Sequence, residues 1–230
     1  MTTSIGKMEN GQYALRGKPL AELMASTDFV SAAWLAWTGM TPTEAEANVL
    51  RACFVACVDH GAEPPSAHVA RTVASCGKPL ADAVAAGLLT LGPRHGNAAG
   101  AASEWLRASL ASGRSAEDFA KEAIAGKKRL SGFGHPEYAV DPRAQKLIEI
   151  SKKNLGTTPH CDFALQISSA LTAAKGKPLP LNIDGALGAV VADMGAPTDL
   201  ADAIFIAART AGLIAHAREE ASSSASYRRG

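Results

Sequence analysis

Between Thr41 and Gly61 the chain reads TPTEAEANVLRACFVACVDHG, and this stretch decides the class of fold. Thr41 suits an N-cap, Pro42 the first helical position and Glu44 the closing residue of a capping box, so a helix is predicted from there. Ala45, Val49, Ala52, Cys53 and Ala56 fall at spacings of three and four, which predicts one buried face. Asp59-His60-Gly61 reads as the C-terminus with Gly61 as the stop, placing His60 at a helix end.

The same grammar runs outward along the chain. Helical segments are predicted through SAHVARTVASCG, PLADAVAAGLLTLG, GNAAGAASEWLRASLASG and SAEDFAKEAIAG, then DPRAQKLIEISKKNL, HCDFALQISSALTAAKGK, NIDGALGAVVADMG and DLADAIFIAARTAGLIAHAREEA. Glycine or proline separates one from the next. No segment shows the alternation a sheet needs, so the fold class is all-α, with room for a short hairpin. Apolar residues make up 47% and aromatic ones only 5%, which favours closely packed alanine-rich helices over a sandwich of strands. There is no fixed-period repeat, and the tail SSSASYRRG reads as mobile on composition.

With 230 residues the chain can bury a substantial core as a single domain over 1–230. A formal net charge of +1 argues against bulk attraction to nucleic acid or to an acidic membrane surface, so binding must rest on a local site. The first twenty residues lack a signal peptide's apolar run, and no later segment offers eighteen apolar residues in a row, so the expected location is cytoplasmic. Cys53 and Cys57 stand one turn apart in an apolar helix, and with Cys76 and Cys161 they read as reduced thiols. Cys53, Cys57, His60 and His68 have the ligand types for zinc, but structural zinc sites draw their cysteines from tight knuckles, so no metal is expected.

Three segments place a titratable side chain beside glycine at the edge of a helix: GPRHGNAAG around His95, GFGHPEY around His135 and NIDGALG around Asp184. In the second, Gly134 and Pro136 hold the imidazole on a turn just before Asp141-Pro142-Arg143. Two imidazoles and a shielded carboxylate suffice for concerted acid and base chemistry near neutral pH.

GPRHGNAAGAA, SGFGHPEYAVDPRA and LNIDGALGAVVADMG resemble, in order and spacing, the signature segments of the citrate synthase superfamily. LASTDFVSAAWLAWTG, CVDHGAEPPSAHVAR, GLLTLGPRHG and ARTAGLIAHAREE resemble in particular its citryl-CoA lyase branch, including the C-terminal lyase module of ATP-citrate lyase. The compact length is similar to that of stand-alone lyase-type members.

The resemblance implies an all-α homodimer, or a higher homo-oligomer, with a large helical body and a small lobe drawn from about 112–208. It implies catalytic roles for His95 (hydrogen bond to the thioester oxygen of the enol), Asp184 (proton exchange at the methyl carbon) and His135 (the oxygen that is hydroxyl in citryl-CoA and carbonyl in oxaloacetate, whose proton it takes in cleavage). His60, Arg143 and Arg209 would bind the polycarboxylate, with Arg228 or Arg229 reaching the partner subunit's site. Lys127, Lys128, Lys175 and Lys177 would meet coenzyme A phosphates. The CoA thioester is thus a substrate and no cofactor is tightly bound.

Where many relatives follow the histidine of GFGH with Arg-Val-Tyr and a basic residue, this chain has Pro136, Glu137, Tyr138 and Ala139, which bears on CoA affinity or on the identity of the thioester. Glycine-rich phosphate motifs are absent, so a separate ligase would make citryl-CoA. The activity implied is cleavage of citryl-CoA to acetyl-CoA and oxaloacetate. The alternatives are a citrate or 2-methylcitrate synthase and a non-catalytic CoA-binding scaffold. Among the remaining histidines, His216 falls two turns after Arg209 and either lines the cleft or packs in the core, His68 is expected near His60, and His160 reads as a helix-start polar group.

Overall fold

A computed structural model describes residues 3–9, 11–92, 94–96, 98–126 and 130–223. They form eleven helices and three short strands, an all-α fold with one small N-terminal sheet. The chain divides into two compact units, up to Ala52 and from Cys53 onward.

In the first unit, β1 (Gly6–Glu9), β2 (Gln12–Leu15) and β3 (Lys18–Pro19) make an antiparallel meander, slightly more than the hairpin the sequence left room for. The tight reversals fall at Gly11 and Gly17, both with φ of 78°. α1 (Leu20–Ser26) and α2 (Phe29–Thr38) follow. Asp28 caps α2 by accepting the Ser31 N–H, and Gly39 ends it in the left-handed conformation.

α3 (Glu44–Cys57) starts in the first unit and ends in the second. Its cap lies two residues later than predicted. Thr43, not Thr41, accepts the Glu46 N–H at 3.2 Å, and the Glu46 carboxylate returns to the Thr43 N–H at 2.7 Å. Both T-x-x-E frames are present in the sequence. The Thr41 hydroxyl instead accepts from Lys18 Nζ, which removes it from the competition. The helix also ends earlier, at Cys57, so His60 stands in a loop closed by Gly61 with φ of 98°. The buried face is rotated from the predicted one: Val49 and Cys53 belong to it, together with Ala47, Leu50, Phe54 and Cys57, while Ala45, Ala52 and Ala56 are half-buried. The larger side chains take the interior because they remove more apolar area from water.

The second unit continues with α4 (Pro65–Ser75), α5 (Leu80–Leu88), α6 (Ala99–Ala111), α7 (Ala116–Ala125), α8 (Pro142–Leu155), α9 (Pro159–Lys175), α10 (Ile183–Asp193) and α11 (Asp199–Ser222). Each corresponds to a segment predicted from pattern. Proline opens α4, α8 and α9 at the first helical position, where its missing N–H leaves no bond unmade. α11 is apolar and long enough by composition to cross a membrane, but it packs against α4, α5, α6 and α10 as a core helix. Small residues let these helices close up: a Cβ on Gly188 of α10 would lie 2.6 Å from the Ala99 carbonyl oxygen of α6. His160 is indeed a helix-start group. Its N–H and that of Cys161 both donate to the Asp193 carboxylate, so the end of α10 caps the start of α9.

Candidate active site

A cavity of about 1160 Å³ opens in the second unit, and His60, His95, His135, Arg143, Asp184 and Arg209 all line it. Residues more than a hundred positions apart in sequence are thus gathered around one space, five at helix termini, loops and tight turns and Arg209 midway along α11.

His135 and Asp184 are brought together by a short pairing of two loops. The Gly134 N–H donates to the Pro180 carbonyl at 2.8 Å and the Asn182 N–H to the Gly132 carbonyl at 3.0 Å. Such an approach needs glycine on both sides: a Cβ on Gly132 would stand 2.6 Å from the Gly185 Cα, and one on Gly185 would stand 2.4 Å from the Gly132 carbonyl oxygen. Gly132 and Gly134 also have φ of 92° and 88°, in the left-handed region. Asn182 ties the junction from its side chain, capping α10 through the Gly185 N–H and donating from Nδ2 to the Gly134 carbonyl. The Trp105 indole, stacked on Phe119, holds the preceding turn by donating to the Ser131 carbonyl.

Asp184 occupies the first turn of α10, and its Oδ1 is buried with no hydrogen-bond partner among the described residues. Burial raises its pKa to about 6, although Arg143 and Arg209 pull the other way. A carboxylate so poised is a stronger base than one in water and changes charge within reach of neutral pH.

Two of the three site histidines, His135 and His95, have opposite orientations. His135 Nδ1 accepts the N–H groups of Glu137 and Tyr138 at 3.1 and 3.2 Å, so the neutral ring carries its proton on Nε2. That nitrogen sits 3.5 Å from Arg143 Nη2, and the two groups present donors to one place. His95 is held the other way round. Its Nε2 lies 2.8 Å from the Ser66 hydroxyl and 3.4 Å from the Ser66 N–H, and since a backbone amide only donates, Nε2 accepts and Nδ1 carries the proton. Burial first, then Arg209, lowers the His95 pKa and keeps the ring neutral. The ring of His60 lies 6.0 Å from that of His95, and burial, followed by Arg209, His95 and Arg143, lowers its pKa to about 4.

The two arginines are anchored differently. Arg143 is gripped by Asp141, whose fully buried carboxylate caps α8 through the Arg143 N–H, accepts from Nε and Nη2 of the same residue, and accepts the Ile183 N–H at the start of α10. One carboxylate thereby sets both Arg143 and the helix end that carries Asp184. Arg209, 1% exposed on α11, donates from Nε to the Cys57 carbonyl and lies over the Phe205 ring. Its Nη1 is buried without a hydrogen-bond partner among the described residues, so a donor is left over for an anion in the cavity.

Other predicted residues are not gathered here. Lys175 and Lys177 are exposed at the end of α9 and in the turn after it, and do not line the cavity. His68 is exposed on α4 and also lies off the cavity wall. His216 does not line it either; its Nε2 lies 2.9 Å from Asp59 Oδ1. Lys127, Lys128 and Arg228 lie outside the described residues. Cys53, Cys57 and Cys161 are buried and unpaired, with burial pushing each thiol far above its usual range, and no group of three metal-ligating side chains occurs among the described residues. Ser66, Phe205 and Arg94 also line or support the cavity, and no pattern in the sequence singles them out.

The family model for the C-terminal domain of citrate synthase matches residues 36–229. The chain belongs to the citrate synthase family. Among solved members of that family, the citryl-CoA lyase of Hydrogenobacter thermophilus superposes with a TM-score of 0.91 at 37% identity, covering 99% of this chain and 89% of that one. A mutant ATP citrate lyase of Methanosaeta concilii, solved in complex with (3S)-citryl-CoA, gives a TM-score of 0.91 at 26% identity over all of this chain and 40% of that one. The ATP-citrate synthase of Mus musculus is 28% identical over 196 residues, which is 84% of this chain but only 18% of the mouse protein. The chain therefore spans under a fifth of that relative's length, and its helical architecture is the citrate synthase-like fold.

Proposed function

We propose that this protein is a citryl-CoA lyase, cleaving citryl-CoA to acetyl-CoA and oxaloacetate. The observation that carries the reading is the convergence of Asp184, His95 and His135 with Arg143 and Arg209 on one cavity. The likeness over nearly its whole length to a citryl-CoA lyase supports it.

In cleavage, the hydroxyl oxygen of citryl-CoA lies between His135 Nε2 and the Arg143 guanidinium. That oxygen loses its proton to solvent as its carbonyl forms, and the adjacent carbon-carbon bond breaks. Because Nδ1 accepts two backbone N–H groups, the neutral ring carries its proton on Nε2, and His135 serves this oxygen as a donor beside Arg143 rather than by taking its proton. The electron pair of the broken bond becomes the enolate of acetyl-CoA, whose oxygen takes the Nδ1–H of neutral His95. One such preorganised donor is worth about 3–4 kcal/mol of barrier. Protonated Asp184 then delivers its proton to the enolate carbon. Arg143, Arg209 and His60 bind the carboxylates, the planar guanidinium giving two-pronged contacts. The small lobe over about 112–208 closes on the substrates, Lys127 and Lys128 meet CoA phosphates, and Arg228 serves the second subunit of a homodimer. The chain has no glycine-rich phosphate motif, so another domain or protein makes citryl-CoA. Unpaired cysteines suit a reducing, cytoplasmic setting.

The deciding experiment supplies purified protein with citryl-CoA, follows oxaloacetate through malate dehydrogenase, and in parallel follows free thiol. Oxaloacetate without free thiol is expected. Free CoA and citrate without oxaloacetate would replace the lyase by a synthase, and silence in both channels, with CoA esters still bound, would leave a scaffold.

A further inference from the structure

The loop that carries His60 into the cavity is seated on α11 at three successive residues. Arg209 Nε donates to the Cys57 carbonyl at 3.1 Å. A Cβ on Gly212 would stand 2.1 Å from the Val58 carbonyl oxygen, so the helix admits the loop there only as glycine. His216 Nε2 meets Asp59 Oδ1 at 2.9 Å. Positions 209, 212 and 216 are spaced by three and four, and therefore form one stripe along the helix. The first of the three contacts is made by a residue that faces the substrate, and the last has no part in the chemistry above.

Asp59 joins this stripe to His60. Its Oδ2 accepts the Gly61 N–H at 3.0 Å. Burial pushes the Asp59 carboxyl up, but the Gly61 N–H, the His216 ring and the His60 N–H together hold it below the ordinary carboxylate range. The carboxylate thus has His216 on one side and the backbone flanking His60 on the other. The His216 side chain is 15% exposed and off the cavity wall, so it acts on a ligand only through what it holds.

We infer that His216, acting through Asp59, is a positioning residue for His60. It fixes the His60 ring relative to Arg209, so that a neutral N–H donor and the free Nη1 of the guanidinium meet one carboxylate of the keto acid together. The identity of that keto acid as oxaloacetate rests on the proposed function. The position of the clamp does not.

The test is a double-mutant cycle on the full chain with His216→Ala, His216→Gln, His60→Ala and the His60→Ala/His216→Ala pair. Oxaloacetate affinity is read by calorimetry, and KM and kcat by citryl-CoA cleavage. His216→Ala is expected to weaken oxaloacetate binding and raise KM by about tenfold, the scale of one lost hydrogen bond to a charged group, with kcat much less affected. His216→Gln, whose amide still donates to Asp59, should recover most of that loss. In the His60→Ala background, His216→Ala should add nothing. Additive effects, or equal damage from Ala and Gln with a parallel fall in Tm, would reduce the contact to a tether and overturn the inference. Should His216→Ala fail to fold, Asp59→Asn enters the same cycle. If wild type binds oxaloacetate but does not cleave citryl-CoA, only the lyase reading fails and the affinity cycle still decides; if it does not bind oxaloacetate, this inference fails as well.

Discussion

Ser66 closes on Nε2 of His95 twice, through its hydroxyl at 2.8 Å and its backbone N–H at 3.4 Å. The first turn of α4 thereby decides which nitrogen of His95 is left as a donor. Ser66→Ala removes the stronger of the two contacts and leaves the tautomer to the weaker one. Cleavage kcat should fall by about tenfold while Tm changes little, since a hydrogen bond contributes on the order of 1 kcal/mol. Steady-state kinetics beside a thermal melt checks this; an unchanged kcat would remove Ser66 from the mechanism.

Asp184 links activity to stability in opposite directions. Its folded-state pKa, raised by burial to about 6, lies above the ordinary 3.8, so the folded protein binds the extra proton between those values. The stability this contributes is present below pH 4 and is lost as pH rises through about 6. Asp184→Asn should therefore abolish turnover yet raise stability at pH 8 by about 2–3 kcal/mol, with the gain vanishing near pH 4. Chemical denaturation at the two pH values measures it.

The same group sets a pH dependence on the reaction. Exchange of the acetyl-CoA methyl protons with solvent deuterium requires ionised Asp184, so its rate should climb through pH about 6 and then level off. Protonation of the enolate in cleavage requires the acid form, so that step should weaken above the same pH. A flat exchange profile between pH 5 and 8 would assign the proton to another group.

Asp141 holds Arg143 and the start of α10 with one buried carboxylate. Asp141→Asn keeps the shape but leaves the half-buried guanidinium without its charge partner. The expected loss is about 3–5 kcal/mol of stability, together with a raised KM. Arg143→Lys should raise KM with less damage to the fold, because lysine reaches the site without the planar fork.

Gly185→Ala tests the junction between the His135 turn and α10. The new methyl would meet the Gly132 carbonyl oxygen at 2.4 Å. Separating the two segments should cost about 1–3 kcal/mol and lower kcat more than it raises KM, since His135 and Asp184 move apart.

Thr43 and Thr41 offer a local check on the start of α3. Thr43→Ala should cost about 1 kcal/mol as a lost cap, and Thr41→Ala only a few tenths. The sequence holds both T-x-x-E frames, and pattern alone does not rank them. Lys18, more than twenty residues away, occupies the Thr41 hydroxyl and so ranks them in the folded chain.

Helices α3 to α11, in order, and the residues His60, His95, His135 and Asp184 were legible in the sequence, Arg143 and Arg209 came with the family resemblance, and α1, α2 and the small sheet were not predicted. Helical periodicity, proline starts and glycine stops are local, and glycine-flanked titratable residues stand out wherever they occur. What lay beyond it was relational. Ser66 is an ordinary serine until α4 brings it against His95, and His216 is a core candidate until α11 lays it beside Asp59. Lys175 and Lys177 look like a basic cluster in one dimension, yet stand clear of the cavity. Sequence pattern alone determined nine of the eleven helices and the chemical groups, because backbone preference and side-chain type act over a few residues. The tautomers, the raised pKa of Asp184 and the free Arg209 nitrogen were decided only by the tertiary structure, because burial and hydrogen-bond geometry depend on which distant segments pack together.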